Sequence, residues 1–251
     1  HFGTNEDLKQ FIDAAHKENI KVFFDIITNH TADVIKYEEC HTADGLSNGS
    51  PCSYVSLEEK ANGNGLTPFV PVGMEQAKVP EWLNDPQYYN NQGDSTFSGE
   101  NSVYGDFSGL DDLDTTQPEV VEGMIDIFKD LVSEFKPDGF RIDTVKHVNL
   151  EFWQEFSPAL LAHANAEGIP NFFMFGEVYD GNPQYLSQFT TIGKLPSVLD
   201  FGIQGAASSV FASGGSSTAL STLFAQDDVY SDADSDASLL MNFGGNHDMG
   251  R

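Results

Sequence analysis

The chain has 251 residues, with 39 acidic against 12 basic side chains and a formal charge of -27. A surface this negative argues against nucleic acid and anionic membranes as partners and suits a neutral substrate, although solvated acids also serve solubility. The length permits one large α/β barrel or two modest domains, and no apolar run approaches a membrane span.

Thr4 or Asn5 can cap a first helix, in which Leu8, Phe11, Ile12 and Ala15 recur at helical spacing up to Lys17-Glu18-Asn19. The run from Ile20 to Ile27 follows at once and is nearly continuous in apolar and β-branched residues, as a strand covered on both faces of a parallel sheet should be. It ends in a polar tip, Thr28-Asn29-His30. Helix, short link, buried strand and polar loop make one step of a barrel or of an open α/β sheet.

From Thr31 to about Gly109 the alternation stops: Gly, Asn, Ser and Pro are frequent, and aromatics such as Tyr54, Phe69, Trp82, Tyr88, Tyr89, Phe97 and Tyr104 hold most of the apolar surface. So long an irregular connection is an excursion from the main fold, with a few short strands, and its aromatics are expected to form a small core. Cys40 and Cys52 lie here, close together. They read as a local disulfide of an exported protein or as two free thiols; without matching histidines they make a poor zinc site.

Regular elements return after Leu110. Thr116-Gln117-Pro118-Glu119 predicts a capped start to a long helix whose stripe is Val121, Met124, Ile125, Phe128, Leu131, Val132 and Phe135. A turn at Pro137 and Gly139 leads into a buried strand from Gly139 to Asp143, in which Arg141 and Asp143 project together while Phe140 and Ile142 face the other side. Asn149 can cap a helix carrying Phe152, Trp153, Phe156 and Leu160. Further strands are predicted from Asn171 to Glu177, from Ser197 to Phe201 and from Leu239 to Gly244, with a helix near Thr218 to Ala225 burying Leu220, Leu223 and Phe224. Asp232, Asp234 and Asp236 have the spacing of a calcium loop, but Ala237 and Phe243 stand where its glycine and glutamate belong, so a solvated loop is expected.

If the strands are parallel in one barrel, their polar tips gather at one face and bring three carboxylates together: Asp143, Glu177 and Asp248. Such a trio suits a metal site, a proton relay or a glycosidase pair. For glycoside cleavage with retention, one carboxylate attacks the sugar carbon while a protonated partner about 5 Å away gives its proton to the leaving oxygen. Asp143 has Arg141 beside it, as a nucleophile that must stay ionised requires. Glu177 follows Phe172, Phe173 and Phe175 in an apolar strand with no adjacent cation, so a raised pKa and an acid's role are expected.

The segments Asp25 to His30, Gly139 to His147, Gly176-Glu177-Val178 and Phe243 to Asp248 resemble, in order and spacing, the four signature regions of the α-amylase family of glycoside hydrolases. Leu110 to Asp114 is similar to that family's short motif late in domain B. The resemblance implies a (β/α)8 TIM barrel, with residues 1–30 and 110–251 as two parts of the barrel and residues 31–109 as a domain B inserted after the third strand. It implies Asp143 as nucleophile, Glu177 as acid/base and Asp248 as transition-state stabiliser. His30, Arg141 and His247 would line the cleavage subsite, with Lys146 on the leaving-group side. A structural calcium would take the Asn29 side chain, the Asp112 carboxylate and the His147 main-chain carbonyl; Asp111 stands where many amylases have proline. Against that pattern the first, second and eighth strands and a C-terminal domain are absent, so the chain is expected to be part of a longer polypeptide.

The function expected on this basis is retaining hydrolysis of internal α-1,4 bonds in starch-like α-glucans by a secreted, monomeric enzyme. A glucanotransferase forming cyclodextrins, or an enzyme cleaving α-1,6 bonds, shares the same centre. A non-catalytic barrel tends to lose the carboxylates, and all three are here.

Overall fold

The computed structural model describes residues 3–249. Six strands occur in it: β1 (Phe23–Ile27), β2 (Lys36–Tyr37), β3 (Pro68–Phe69), β4 (Gly139–Asp143), β5 (Phe173–Gly176) and β6 (Ser197–Val198). The main helices are α1 (Asn5–Lys17), α2 (Pro118–Phe135), α3 (Leu150–Ala166), α4 (Pro183–Thr191), α5 (Phe201–Ala207) and α6 (Thr218–Phe224). Two compact units share the chain. One comprises His1–Ile27, Val121–Val145 and Leu150–Arg251, the other Thr28–Val120 with Lys146–Asn149.

The first unit is built on a four-stranded sheet in the order β1-β4-β5-β6, and all its pairings are parallel. Its registers place Asp25 opposite Arg141 and Arg141 opposite Phe175, so consecutive strand tips point the same way. A Cβ on Gly139 would lie 1.9 Å from the carbonyl oxygen of Phe173, so only glycine lets β5 approach there. Between the sheet and its helices Phe128, Phe140, Phe156 and Phe172 are buried and meet edge to face, with Phe128 5.7 Å and Phe172 5.1 Å from Phe140. The apolar residues expected of α3, Phe152, Trp153, Phe156 and Leu160, are all inaccessible to solvent, and the Trp153 indole N–H donates to the Val145 carbonyl at 3.2 Å.

The helix starts are set by local chemistry. Thr4 caps α1 with a full capping box, its side chain accepting from the Asp7 N–H while Asp7 reaches back to the Thr4 N–H. The α2 helix begins at Pro118, two residues later than Thr116, whose hydroxyl instead donates to Asp114 at 2.5 Å.

Three expectations are corrected. Leu239 to Gly244 does not form a strand: Ala237–Leu239 is a 3-10 turn, and a single parallel bridge joins Met241 to Leu199. Asn242, Gly244 and Gly245 leave that run too few β-forming side chains to extend the ladder. Helix α6 buries none of its apolar residues, Phe224 being 56% exposed, and Phe11 of α1 is 61% exposed. Asn149 stands directly before α3, at the position expected of its cap; its amide oxygen accepts from Thr115 and its amide nitrogen donates to the Tyr104 hydroxyl.

The second unit contains the β2–β3 antiparallel pair and the Cys40–Cys52 disulfide, which decides against free thiols. Of the aromatics singled out in the irregular stretch only Tyr89 is buried; the core is made instead from Val34, Ile35, Tyr37, Cys40, Leu83, Tyr89 and Leu113. Among the described residues no helix is long and apolar enough to cross a membrane.

At the N-terminal end of the sheet Asp138 ties β1 to β4. Its carboxylate accepts from Lys21 Nζ at 2.7 Å and from the Val22 N–H at 2.8 Å, and His16 Nε2 lies 2.8 Å away. Burial disfavours the ionised form of Asp138, but these bonds outweigh it and its pKa is lowered below 3.8. A depressed carboxylate contributes stability that is present above the unfolded value and is lost as pH falls through the folded one. Asp138→Asn is therefore expected to cost about 1–3 kcal/mol near neutral pH. In pH-dependent denaturant melts the difference from wild type should shrink below about pH 4, and a pH-independent difference would count against this role.

Candidate active site

The C-terminal ends of β1, β4 and β5 deliver the charged groups of the first unit to one place. Arg141 is the central one, with a side chain only 12% exposed. Its Nη1 donates to Asp143 of its own strand and, at 2.9 Å, to Asp25 of β1. Its Nη2 lies 3.0 Å from Glu177 Oε2 at the tip of β5, close enough for an ion pair but not aligned as a hydrogen bond. The expectation that Glu177 has no cation nearby is thus corrected. Strand pairing puts Arg141 beside Phe175, and its long side chain reaches along β5 to the glutamate.

Glu177 is buried. Its pKa is nevertheless raised above 4.5: burial is the largest cause, opposed by Arg141 and reinforced by the charge of Asp143, by a hydrogen bond with Asp143 and by the charge of Asp248. Asp143 and Glu177 thus meet one guanidinium, Asp143 at Nη1 and Glu177 at Nη2. Asp248, by contrast, is exposed, with its carboxylate 3.3 Å from His247 Nε2 and its N–H bonded to the Asn246 side chain.

Two local features fix this arrangement. Thr144 follows Asp143 with φ of 54°, a left-handed conformation costly for a β-branched residue, and turns the chain sharply into the 3-10 turn Val145–His147. A Cβ on Gly176 would lie 2.7 Å from Val145 Cγ2, so the residue before Glu177 must be small for that turn to pack.

The remaining predicted residues belong to the second unit. His30 stacks on Phe107 at 5.1 Å and accepts at Nδ1, in the tautomer consistent with this bond, from the Asn29 amide. Lys146 and His147 occupy the 3-10 turn, with the His147 ring nitrogen 2.6 Å from the Ser102 carbonyl oxygen. Asn29 and Asp112 are almost fully buried, and His30 and Asp112 form an antiparallel bridge. Asn90 donates to one oxygen of Asp112, whereas the other, Oδ1, is buried with no hydrogen-bond partner. Burial, together with the charges of Asp106 and Asp114, raises the Asp112 pKa well above 3.8 despite hydrogen bonds from Asn90 and Asn29. A buried carboxylate oxygen without a hydrogen-bond partner is a donor that fits a hard cation such as calcium. Cys40, His41 and Cys52 also cluster, but both sulfurs are consumed by the disulfide.

Sequence reasoning missed Asp25 as a partner of Arg141 and Lys78 as a partner of Asp111. The first was legible as a charged residue inside an apolar strand. The second had no local signal, since 33 residues separate the pair.

The Glu177 titration is open to direct measurement. Replacing Asp143 by Asn removes a like charge, so the Glu177 carboxyl should titrate lower in Asp143→Asn than in wild type, as followed by carbon-13 NMR. An unchanged titration would contradict the interaction between the two groups.

The profile of the alpha-amylase catalytic domain matches residues 1–251. An alpha-amylase of Streptomyces lividans is 47% identical over 268 residues, covering 100% of this chain and 29% of that protein. Among solved structures, an Anoxybacillus alpha-amylase superposes with a TM-score of 0.69 at 26% identity, over 100% of this chain and 45% of the other. A cyclomaltodextrin glucanotransferase with three domains does so with a TM-score of 0.71 at 26% identity, again over 100% and 45%. The chain thus spans less than half the length of these relatives, and its four parallel strands are part of their (β/α)8 barrel, here not closed on itself. Strand tips carrying Asp143, Glu177 and Arg141, together with a profile match along the entire chain, identify it as a member of the alpha-amylase family.

Proposed function

We propose that this chain carries the catalytic centre of a retaining hydrolase of internal α-1,4-glucosidic bonds in starch-like α-glucans. The observation that carries the reading is that Asp143 and Glu177 share one guanidinium, Arg141 Nη1 meeting Asp143 and Nη2 lying 3.0 Å from Glu177. Two carboxyl groups bridged by one planar fork suit the spacing of about 5 Å of a retaining pair better than the roughly 6.5–9.5 Å of an inverting one. The 47% identical Streptomyces lividans protein, named an alpha-amylase, supports the choice of substrate.

In the first step an Asp143 oxygen attacks the anomeric carbon. The glycosidic bond breaks with its electron pair going to the leaving oxygen, which takes the Glu177 proton. In the second step the Glu177 carboxylate removes a proton from water, the resulting hydroxide attacks the same carbon, and the ester to Asp143 is released. Arg141 offsets charge on both carboxylates throughout. Asp248 and His247 are read as holding sugar hydroxyls as the ring distorts, His30 as lining the same subsite and Lys146 as contacting the leaving portion. A sugar hydroxyl in place of water in the second step gives transglycosylation; the superposition on a cyclomaltodextrin glucanotransferase favours keeping that second reading.

Asp143→Asn and Glu177→Gln in the complete polypeptide should each lower the turnover of soluble starch by about 10³-fold or more. Rates near wild type in either would refute the assignment, and cyclic products from the wild type would move it to the transferase. Because Glu177 must be protonated to act as acid and its pKa is raised, the wild-type rate should fall as pH rises through a value above 4.5.

A structural calcium held by the Asn29 amide oxygen, Asp112 and the His147 main-chain carbonyl would supply the positive charge that the orphaned Asp112 oxygen lacks. Chelation should then lower the melting temperature of the wild type and leave that of Asp112→Asn unmoved. An equal effect on both proteins would exclude Asp112 as a ligand. The Cys40–Cys52 disulfide supports a working location outside a reducing cytoplasm.

A further inference from the structure

Three asparagine–glycine dipeptides lie in the second unit, Asn48-Gly49, Asn62-Gly63 and Asn64-Gly65, and all six residues are exposed. Glycine has no side chain to shield its own nitrogen, so that nitrogen can attack the carboxamide carbon of the asparagine before it. The new C–N bond closes a cyclic imide, and the carboxamide nitrogen leaves as ammonia, taking the glycine N–H proton. Water then opens the ring at either carbonyl, giving aspartate or isoaspartate. The step requires the asparagine side chain to swing over the main chain while the glycine peptide turns toward it. Its rate therefore depends on how firmly the fold holds each dipeptide.

Asn48 is held on every side. It lies within the loop closed by the Cys40–Cys52 disulfide, and its N–H donates to the Cys40 carbonyl at 3.0 Å. Its Oδ1 accepts from the Ser50 N–H at 2.9 Å, and its Nδ2 donates to the Glu39 carbonyl at 3.2 Å. The Gly49 N–H, the group that would attack, donates instead to Ser47 Oγ at 3.2 Å. The other two dipeptides differ. Among the described residues the side chains of Asn62 and Asn64 make no hydrogen bond. Both belong to the π turn Lys60–Asn64, which Gly63 interrupts with a φ of 84° and a ψ of 15°. A Cβ on Gly63 would meet nothing within 4 Å beyond that turn.

We propose that Asn62 and Asn64 are sites of spontaneous deamidation in the native protein, and that the fold protects Asn48, which carries the same dipeptide. Each event consumes one water, releases one ammonia and adds one negative charge to a chain already at -27. The rival account is that dipeptide chemistry alone sets the rates, in which case the three sites react alike.

The test incubates the complete polypeptide at mildly alkaline pH below its melting temperature, with and without denaturing guanidinium chloride. Peptide mapping by mass spectrometry follows the gain of about 1 Da at each site. In the folded protein Asn62 and Asn64 are each expected to convert at least about tenfold faster than Asn48, where several hydrogen bonds must open first. Unfolding should bring the three rates to within about twofold of one another, because the protection belongs to the fold. Isoelectric focusing of aged wild type should resolve more acidic forms, which the double variant Asn62→Ser/Asn64→Ser loses. Equal rates at the three sites in the folded protein, or Asn48 reacting first, would overturn the proposal. So would Asn62 and Asn64 that stay intact until the protein is unfolded, or acidic forms that persist undiminished in the double variant.

Discussion

One guanidinium holds the candidate centre together. In a chain with 39 acidic residues and 12 basic ones, Arg141 is placed where β1, β4 and β5 each bring a carboxylate. Two carboxylates about 4 Å apart repel by roughly 4 kcal/mol at an effective dielectric near 20. Without a cation between them, Asp143 and Glu177 would drive the strand tips apart or both take protons. With Arg141 present, burial is the largest influence on Glu177 and raises its pKa above the ordinary glutamate value. Arginine suits this position better than lysine because its planar fork can address partners on three strands at once.

The second unit manages its buried acids differently. Asp106, Asp111 and Asp112 are all nearly inaccessible to solvent. Asp111 is neutralised by Lys78, an ion pair with both side chains below 5% exposure, and it also accepts from the Val34 and Ile35 N–H groups. Where proline would only stiffen the loop, this aspartate joins three separated stretches of chain. Lys78 in turn lies 4.1 Å above the Tyr89 ring. Asp106 is pushed up to about 7, mainly by burial, and accepts a hydrogen bond of 2.5 Å from the Tyr37 hydroxyl. Asp111 and Asp112 each retain one buried oxygen without a hydrogen-bond partner, but Asp111 already has the charge of Lys78, which is why the cation is assigned to Asp112.

Much of this was legible in the sequence, for reasons that differ by element. The Thr4 capping box, the β4 strand and the buried face of α3 each rest on local rules, in which a few adjacent side chains decide the outcome. The projection of Arg141 and Asp143 to one side followed from strand periodicity alone. The pairing of Arg141 with Asp25 and Glu177 depends on which strands are neighbours and in what register, and sequence spacing does not carry that information. The strand expected between Leu239 and Gly244 failed for another reason: Leu239-Leu240-Met241 are apolar enough to suggest it, but glycine and asparagine beyond them cannot sustain the ladder. Phe11 and Phe224 show that helical spacing of apolar residues predicts a face and does not establish that it is covered.

The central claim is that Asp143 forms a bond to the sugar while Glu177 handles the proton, and the stereochemistry of the product reports on it most directly. Proton NMR of the complete polypeptide acting on a maltooligosaccharide, recorded before mutarotation, should show the newly formed reducing end in the α configuration, because two displacements at one carbon restore its starting geometry. A β-configured first product would mean a single displacement by water, and would contradict the account of a nucleophile and an acid sharing Arg141.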